Sequence, residues 1–274
     1  MKSLFHIIFS LFSTVVFAYN TDISNTAVWL SGAAYCGKDN YKTMKLSGPA
    51  TNFIVDNVLY DPKTDLQGYI GILKSTKTIY VVFRGSSSKL NWMADFEVTK
   101  RQYDTYPECE CKVHHGFYDA TENLKDHVIK SVREIKEKTG YSNVIVTGHS
   151  LGAAIAQLIG MELSAVDIKN QIYNFGQPRI GDDKYAKFVN VISEELVRFT
   201  HDRDMVPHVP PRDMGYLHSC REVFEAASGK LKECSSVECE DPKCADQYRL
   251  SQTNTADHSI YLGHYLDCGN STYY

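Results

Sequence analysis

Apolar and polar residues follow two rhythms along this chain, and the two rhythms alternate. Short continuous apolar runs, which are typical of strands buried on both faces, occur at residues 79–83, 143–147, 171–175 and 196–200. Apolar residues at helical spacing occur between these runs, at residues 119–138, 153–166 and 182–193. Strands that alternate with helices predict an α/β fold, here a single domain with a mainly parallel central sheet flanked by helices.

The first eighteen residues have a different pattern, which is typical of a secretory leader. Lys2 precedes an apolar run from Leu4 to Phe17, and the small residues Val16 and Ala18 occupy the −3 and −1 positions of a cleavage site. The run is short for a membrane-spanning helix, and no later stretch is long and apolar enough. We therefore predict a signal peptide at residues 1–18, a secreted domain at residues 19–274 and no transmembrane segment.

Composition limits the classes of partner and indicates an oxidising compartment. Lys and Arg number 29 against 33 Asp and Glu, so the net charge is −4, which argues against nucleic acid as the main partner. All eight cysteines follow residue 18, as expected for disulfides in an exported protein. Cys234, Cys239 and Cys244 are evenly spaced, but the chain has no CxxC pair, so we favour disulfides over a zinc site and expect no metal.

Residues 148–152 carry the clearest chemical signal, a GxSxG sequence. On its own this sequence is weak evidence, because it also fits an ordinary glycine-rich turn, but here a predicted strand precedes it and a predicted helix follows. In a sharp strand-to-helix turn the two glycines avoid collisions, and Ser150 is lifted clear of the sheet as a nucleophile. The N–H of Leu151, at the start of the helix, is then positioned to bind an oxyanion.

A serine nucleophile needs a base and an acid, and the sequence offers two candidates for each. In this kind of fold the order along the chain is serine, acid and histidine. Asp202 and Asp204 follow the run at 196–200, and His258 and His264 lie near the C-terminus. Composition and order alone do not choose within either pair.

Six segments, in order, resemble the fungal-type class 3 lipases of the α/β-hydrolase fold, a family of secreted triacylglycerol lipases and related feruloyl esterases. They are VFRGSSS at 82–88 with NWMAD at 91–95, VHHGF at 113–117, GHSLG at 148–152, GQPRIG at 176–181, DMVPHVPP at 204–211 and DHSIYLG at 257–263. The resemblance runs from about Cys36 to Cys268.

The resemblance assigns the remaining site residues. It implies that Asp204 is the acid and His258 the base, so that Ser150, Asp204 and His258 form the catalytic triad. It also implies that Ser86 is the second oxyanion donor, beside Leu151, and that the reaction needs no cofactor.

The resemblance bears on the cysteines as well. It implies a bridge between Cys36 and Cys268, which ties the N-terminal helix to the C-terminal segment. For the other cysteines we expect the pairs Cys109–Cys111, Cys220–Cys234 and Cys239–Cys244.

The substrate class depends on residues 87–96, which the resemblance identifies as a lid helix. Its apolar residues Leu90, Trp92 and Met93 would contact lipid when the lid opens at a lipid–water interface. We therefore expect a secreted, monomeric lipase that cleaves acylglycerols. The alternatives are a feruloyl-type or phospholipid-acting esterase, and a lipid-binding protein of the same fold without turnover.

Overall fold

A computed structural model of the chain describes residues 19–86, 98–235 and 239–273. Within these residues the helices are α1 (Thr21–Ala33), α2 (His115–Thr139), α3 (Leu151–Ala165), α4 (Asp183–Ile192) and α5 (Cys268–Ser271). The strands are β1 (Lys45–Leu46), β2 (Ile54–Asp61), β3 (Leu66–Leu73), β4 (Thr78–Phe83), β5 (Lys100–Gln102), β6 (Lys112–His114), β7 (Asn143–His149), β8 (Gln171–Phe175), β9 (Glu195–His201), β10 (Glu222–Glu225), β11 (Leu231–Glu233), β12 (Ile260–Tyr261), β13 (His264–Tyr265) and β14 (Thr272–Tyr273).

The central sheet has the strand order β11-β10-β9-β8-β7-β4-β3-β2. Strands β4, β7, β8, β9 and β10 are parallel to one another, and β2, β3 and β11 add antiparallel pairs at the two edges. The predicted α/β fold is confirmed, and the four apolar runs coincide with β4, β7, β8 and β9. The edge strands were not predicted, because their apolar residues do not form such continuous runs.

Two apolar layers bury the sheet from opposite faces. Side chains of β4 alternate between the layers: Ile79 and Val81 pack with α2 and α3, whereas Tyr80 and Val82 pack on the side of α1. Both faces of β4 are therefore removed from water, and this explains why its sequence is continuously apolar. The same burial makes the carboxyl ends of the parallel strands a rigid platform for the residues that follow them.

The structure contains four disulfides: Cys36–Cys268, Cys109–Cys111, Cys220–Cys239 and Cys234–Cys244. Two expected pairs, Cys220–Cys234 and Cys239–Cys244, are therefore wrong. The chain folds back after β11, so that the Cα of Cys239 lies 3.9 Å from that of Cys220 and the Cα of Cys244 lies 6.2 Å from that of Cys234. Such distances arise from the tertiary fold, and cysteine spacing alone does not specify them.

Several predicted features lie outside the described residues. They are the signal peptide at 1–18 and the lid at 87–96, with its residues Leu90, Trp92 and Met93. Among the residues that the structure does describe, no helix combines the length and the apolar character that crossing a bilayer requires.

Candidate active site

Ser150 stands at the turn between β7 and α3, in the segment that we call the elbow (residues 148–152). Its backbone has φ 60° and ψ −130°, a left-handed conformation that costs energy in a residue with a side chain. A Cβ at Gly148 would overlap with the main-chain oxygen of Gly152, and a Cβ at Gly152 would overlap with that of Phe83. The predicted steric reason for both glycines is therefore confirmed.

The backbone segments that carry Leu151 and Ser86, the two predicted oxyanion donors, lie close to Ser150. Leu151 is the first residue of α3, where N–H groups have no partner within the helix. The segment that carries Ser86 runs alongside, since a Cβ on Gly85 would lie 2.9 Å from the Cβ of Ser150. The end of β4 and the start of α3 thus meet next to the serine.

Asp204 and His258 form a buried pair. Asp204 follows the carboxyl end of β9, and His258 comes from the C-terminal part of the chain. Oδ2 of Asp204 lies 2.7 Å from Nδ1 of His258, and the two residues are 2% and 1% exposed. The N–H of Val206 donates to Oδ1 of Asp204 over 2.8 Å, and the hydroxyl of Tyr261 donates to Oδ2. Within the described residues, Nε2 of His258 is buried and makes no hydrogen bond. Both oxygens of Asp204 thus accept hydrogen bonds, whereas Nε2 of His258 has no partner among the described residues.

The other two candidates have different partners. Asp202 accepts a hydrogen bond from the hydroxyl of Tyr248 at 3.1 Å. Nε2 of His264 lies 2.8 Å from the Oγ of Ser271, and its ring stacks on Trp29 with 4.4 Å between centroids. Burial lowers the pKa of His264. Both contacts are typical of structural roles.

Two short contacts connect the elbow to the ring of His258. The N–H of Ser150 donates to the carbonyl oxygen of Phe175 over 3.0 Å. Gly176 follows Phe175 and has φ +56°. A Cβ on Gly176 would lie 2.9 Å from Nδ1 of His258. His149, which precedes the serine, places its ring 4.3 Å from that of His258. The ends of β7 and β8 thus pack directly against the ring of His258.

Arg179 holds the loop that carries Asp204 (residues 201–211, the Asp204 loop). Its guanidinium donates to the carbonyl oxygens of His208 and Pro210 over 2.6 and 3.0 Å, and to both carboxylate oxygens of Glu240 over 2.7 and 2.9 Å. Burial alone would raise the pKa of Glu240, but the hydrogen bonds and charge of Arg179 lower it below its usual value. Burial, with the nearby Arg179, lowers the pKa of His208 to about 4, so this side chain is neutral at pH 7.

Three residues of this region were not identified from the sequence. Tyr261 lies within the DHSIYLG segment, so this motif could have identified it as a site residue. Its contact with Asp204 was not predicted. Arg179 likewise belongs to the GQPRIG segment. Tyr35, whose hydroxyl lies 2.6 Å from Nδ1 of His149, has no local signal, because it approaches the elbow from 114 residues away.

Known proteins resemble this chain in sequence and in fold. Residues 80–214 match the family model described as Lipase (class 3). The chain is 35% identical to a lipase of Rhizomucor miehei over 196 residues, which cover 69% of this chain and 53% of that protein. It is 30% identical to the secreted mono- and diacylglycerol lipase A of Penicillium cyclopium, with 69% of this chain and 60% of that protein covered.

A solved structure extends the likeness over most of the fold. The lipase of Rhizopus microsporus var. chinensis superimposes with a TM-score of 0.80 at 30% identity, over 90% of this chain and 88% of that one. The central sheet and its strand-to-helix elbow define an α/β-hydrolase fold. Within that fold, the chain belongs to the class 3 lipase family, as the motifs predicted. It spans about half the length of the curated relatives it matches first.

Proposed function

We propose that this protein is a serine esterase that hydrolyses the ester bonds of acylglycerols through an acyl-enzyme. The observation that carries the proposal is the buried Asp204–His258 pair, whose Nε2 makes no hydrogen bond among the described residues, beside a strained Ser150. A strained residue at a sheet edge with an oriented imidazole nearby is the arrangement that nucleophilic catalysis requires. A protein that only bound lipid would not need these three groups together.

The hydrogen-bond pattern sets the direction of proton transfer. The carboxylate of Asp204 accepts from Nδ1–H of His258, so the neutral imidazole carries its lone pair on Nε2. Nε2 takes the proton of Ser150 as the hydroxyl oxygen attacks the ester carbon, and Asp204 stabilises the imidazolium that results. His258 then gives this proton to the leaving alcohol. In the second half of the reaction Nε2 takes a proton from the attacking water and returns it to the oxygen of Ser150 as the acyl-enzyme is hydrolysed.

The negative charge on the carbonyl oxygen requires its own donors. We assign them to the main-chain N–H groups of Leu151 and Ser86. Each such donor is worth about 3–4 kcal/mol in the transition state, because it is oriented before the reaction begins.

The substrate class follows from the relatives and from the lid sequence. The Penicillium relative is named a secreted mono- and diacylglycerol lipase, and the others are named lipases. Trp92 and its apolar neighbours favour long acyl chains over soluble aromatic esters, because an apolar lid gains free energy by leaving water at a lipid surface. We also propose that the chain is exported by way of residues 1–18 and acts as a monomer.

The catalytic assignment is tested with a fluorophosphonate probe and matched variants. Wild type and Ser164→Ala, a change in another serine on α3, should be labelled, whereas Ser150→Ala should not. Asp204→Asn should lower kcat by about 10⁴-fold, as expected when the base loses its correct tautomer, while Asp202→Asn should stay within about twofold of wild type. Labelling of Ser150→Ala, or equal losses in the two aspartate variants, would refute the assignment.

The substrate is tested by a panel of triolein emulsion, phospholipid vesicles and feruloyl esters. A rise in rate once triolein forms droplets supports the lipase. Activity on soluble aromatic esters or on phospholipids, with none on droplets, would favour the corresponding alternative. Trp92→Ser should reduce activity on droplets more than on soluble esters.

A further inference from the structure

The hydroxyl of Tyr35 connects three segments of the candidate site. Tyr35 lies in the short 3₁₀ turn Ala34–Cys36 that follows α1, and the bridge from Cys36 to Cys268 anchors this part of the chain. Its Oη lies 2.6 Å from Nδ1 of His149, and Nε2 of His149 lies 2.8 Å from the main-chain oxygen of His258. The same hydroxyl borders Gly85, where an added Cβ would overlap with it.

The partners of His149 decide which atoms donate. The carbonyl oxygen of His258 can only accept, so Nε2 of His149 carries a hydrogen. In the neutral ring Nδ1 is then an acceptor, and Tyr35 must donate to it. Burial raises the pKa of the Tyr35 phenol, so the hydroxyl keeps the proton that it donates. The two hydrogen bonds therefore run in one direction, from Tyr35 through His149 to the main chain of His258.

We infer that Tyr35 is a positioning residue for the base: through His149 it fixes the main chain of His258, and with it the ring that lies beside the elbow. The environment supports this role. His149 is fully buried, and its ring packs on that of His258. A ring without a partner at Nδ1 could tilt or change tautomer, and either change would move the carbonyl oxygen that it holds. The inference rests on the proposed function, since positioning matters only if His258 acts as a base.

Tyr35→Phe removes the hydroxyl and keeps the ring. We expect kcat on a soluble ester to fall about three- to tenfold, the range for one lost hydrogen bond, with KM within about twofold. Tyr69→Phe is the matched control, because Tyr69 also holds α1 by a buried hydroxyl, which donates to Leu30 over 2.7 Å. It removes the same group without touching His149, and its kcat should stay within about twofold of wild type.

Melting temperatures of both variants separate positioning from general stability. A fall in kcat specific to Tyr35→Phe, at a melting temperature like that of Tyr69→Phe, supports the inference. Equal kcat values in the two variants, or a change in KM alone, would overturn it. If wild type hydrolyses no ester, the proposed function fails and the role of Tyr35 fails with it, whereas an active wild type with an unaffected Tyr35→Phe removes only this inference.

Nitrogen-15 NMR of the histidine rings gives a second test, which uses the wild-type protein alone. In wild type, His149 should be neutral with its hydrogen on Nε2. A hydrogen on Nδ1 would contradict the direction of both hydrogen bonds and overturn the inference.

Discussion

The elbow and the Asp204 loop both lie at the candidate site, but different interactions hold them in place. At the elbow, Gly148 and Gly152 let backbone segments approach so closely that a single Cβ would collide with main chain. Beyond His201, the last residue of β9, the Asp204 loop has no regular strand. It is held by hydrogen bonds from Val206 and Tyr261 and by the buried Arg179–Glu240 pair. The elbow should therefore be sensitive to added volume, whereas the loop should be sensitive to lost hydrogen bonds and charge.

The largest effect should come from Arg179. Arg179→Met removes the buried partner of Glu240 and leaves it only the exposed Arg212 as a cationic partner, so we expect a loss of about 3–5 kcal/mol in the free energy of unfolding. Lys187→Met removes an exposed ion pair with Asp183 and should change it by less than about 1 kcal/mol. Urea denaturation of both variants measures the contrast. Similar small losses would mean that the buried pair does not hold the loop.

Added volume at the elbow should come next. Gly152→Ala brings a Cβ against the carbonyl of Phe83, which is main chain and cannot rotate away, so we expect a loss of about 3 kcal/mol and of most activity. Gly269→Ala, in α5, is the control, because a Cβ there meets only Asp267 at an ordinary 3.6 Å. Both variants add one methyl group to a helical glycine, and the space around that group is much smaller at Gly152. Equal stabilities by thermal denaturation would show that the elbow can relax.

A pH dependence should distinguish the loop from the elbow. Because the folded pKa of Glu240 is lowered, its contribution to stability is present above its ordinary pKa and is lost as the pH falls through the lowered value. Glu240→Gln should therefore be less stable than wild type by about 2 kcal/mol at pH 7, and the difference should shrink below about pH 4.5. Unfolding curves at pH 7, 5 and 3.5 measure it. A difference that does not change with pH would mean that the carboxylate charge is not involved.

The smallest of these effects should be that of Tyr261→Phe. The change removes one of the donors to Asp204 but leaves Val206 and His258 in place, so we expect a loss of about 1 kcal/mol and a three- to tenfold lower kcat. Its measurement is the rate of ester hydrolysis beside the melting temperature. Unchanged kcat would show that the hydroxyl serves only to fill its pocket.

Local physics allowed part of this molecule to be predicted. The strands β4, β7, β8 and β9 could be recognised in the sequence, because strands buried on both faces must be apolar throughout. The elbow could also be recognised, because Gly148 and Gly152, which its sharp turn requires, lie only two positions from Ser150. The resemblance then chose Asp204 over Asp202 and His258 over His264, and in the structure Asp204 lies 2.7 Å from His258.

The sequence by itself thus determined the α/β class, the family and the turn that carries Ser150, because each depends on neighbours along the chain. Only the tertiary structure decided which cysteines pair around residues 220–244, that Tyr261 donates to Asp204, and that Glu240 neutralises Arg179 across 61 positions. It also decided that Tyr35 reaches His149. Contacts of this kind depend on how distant segments pack together, and no spacing of residues along the chain encodes that geometry.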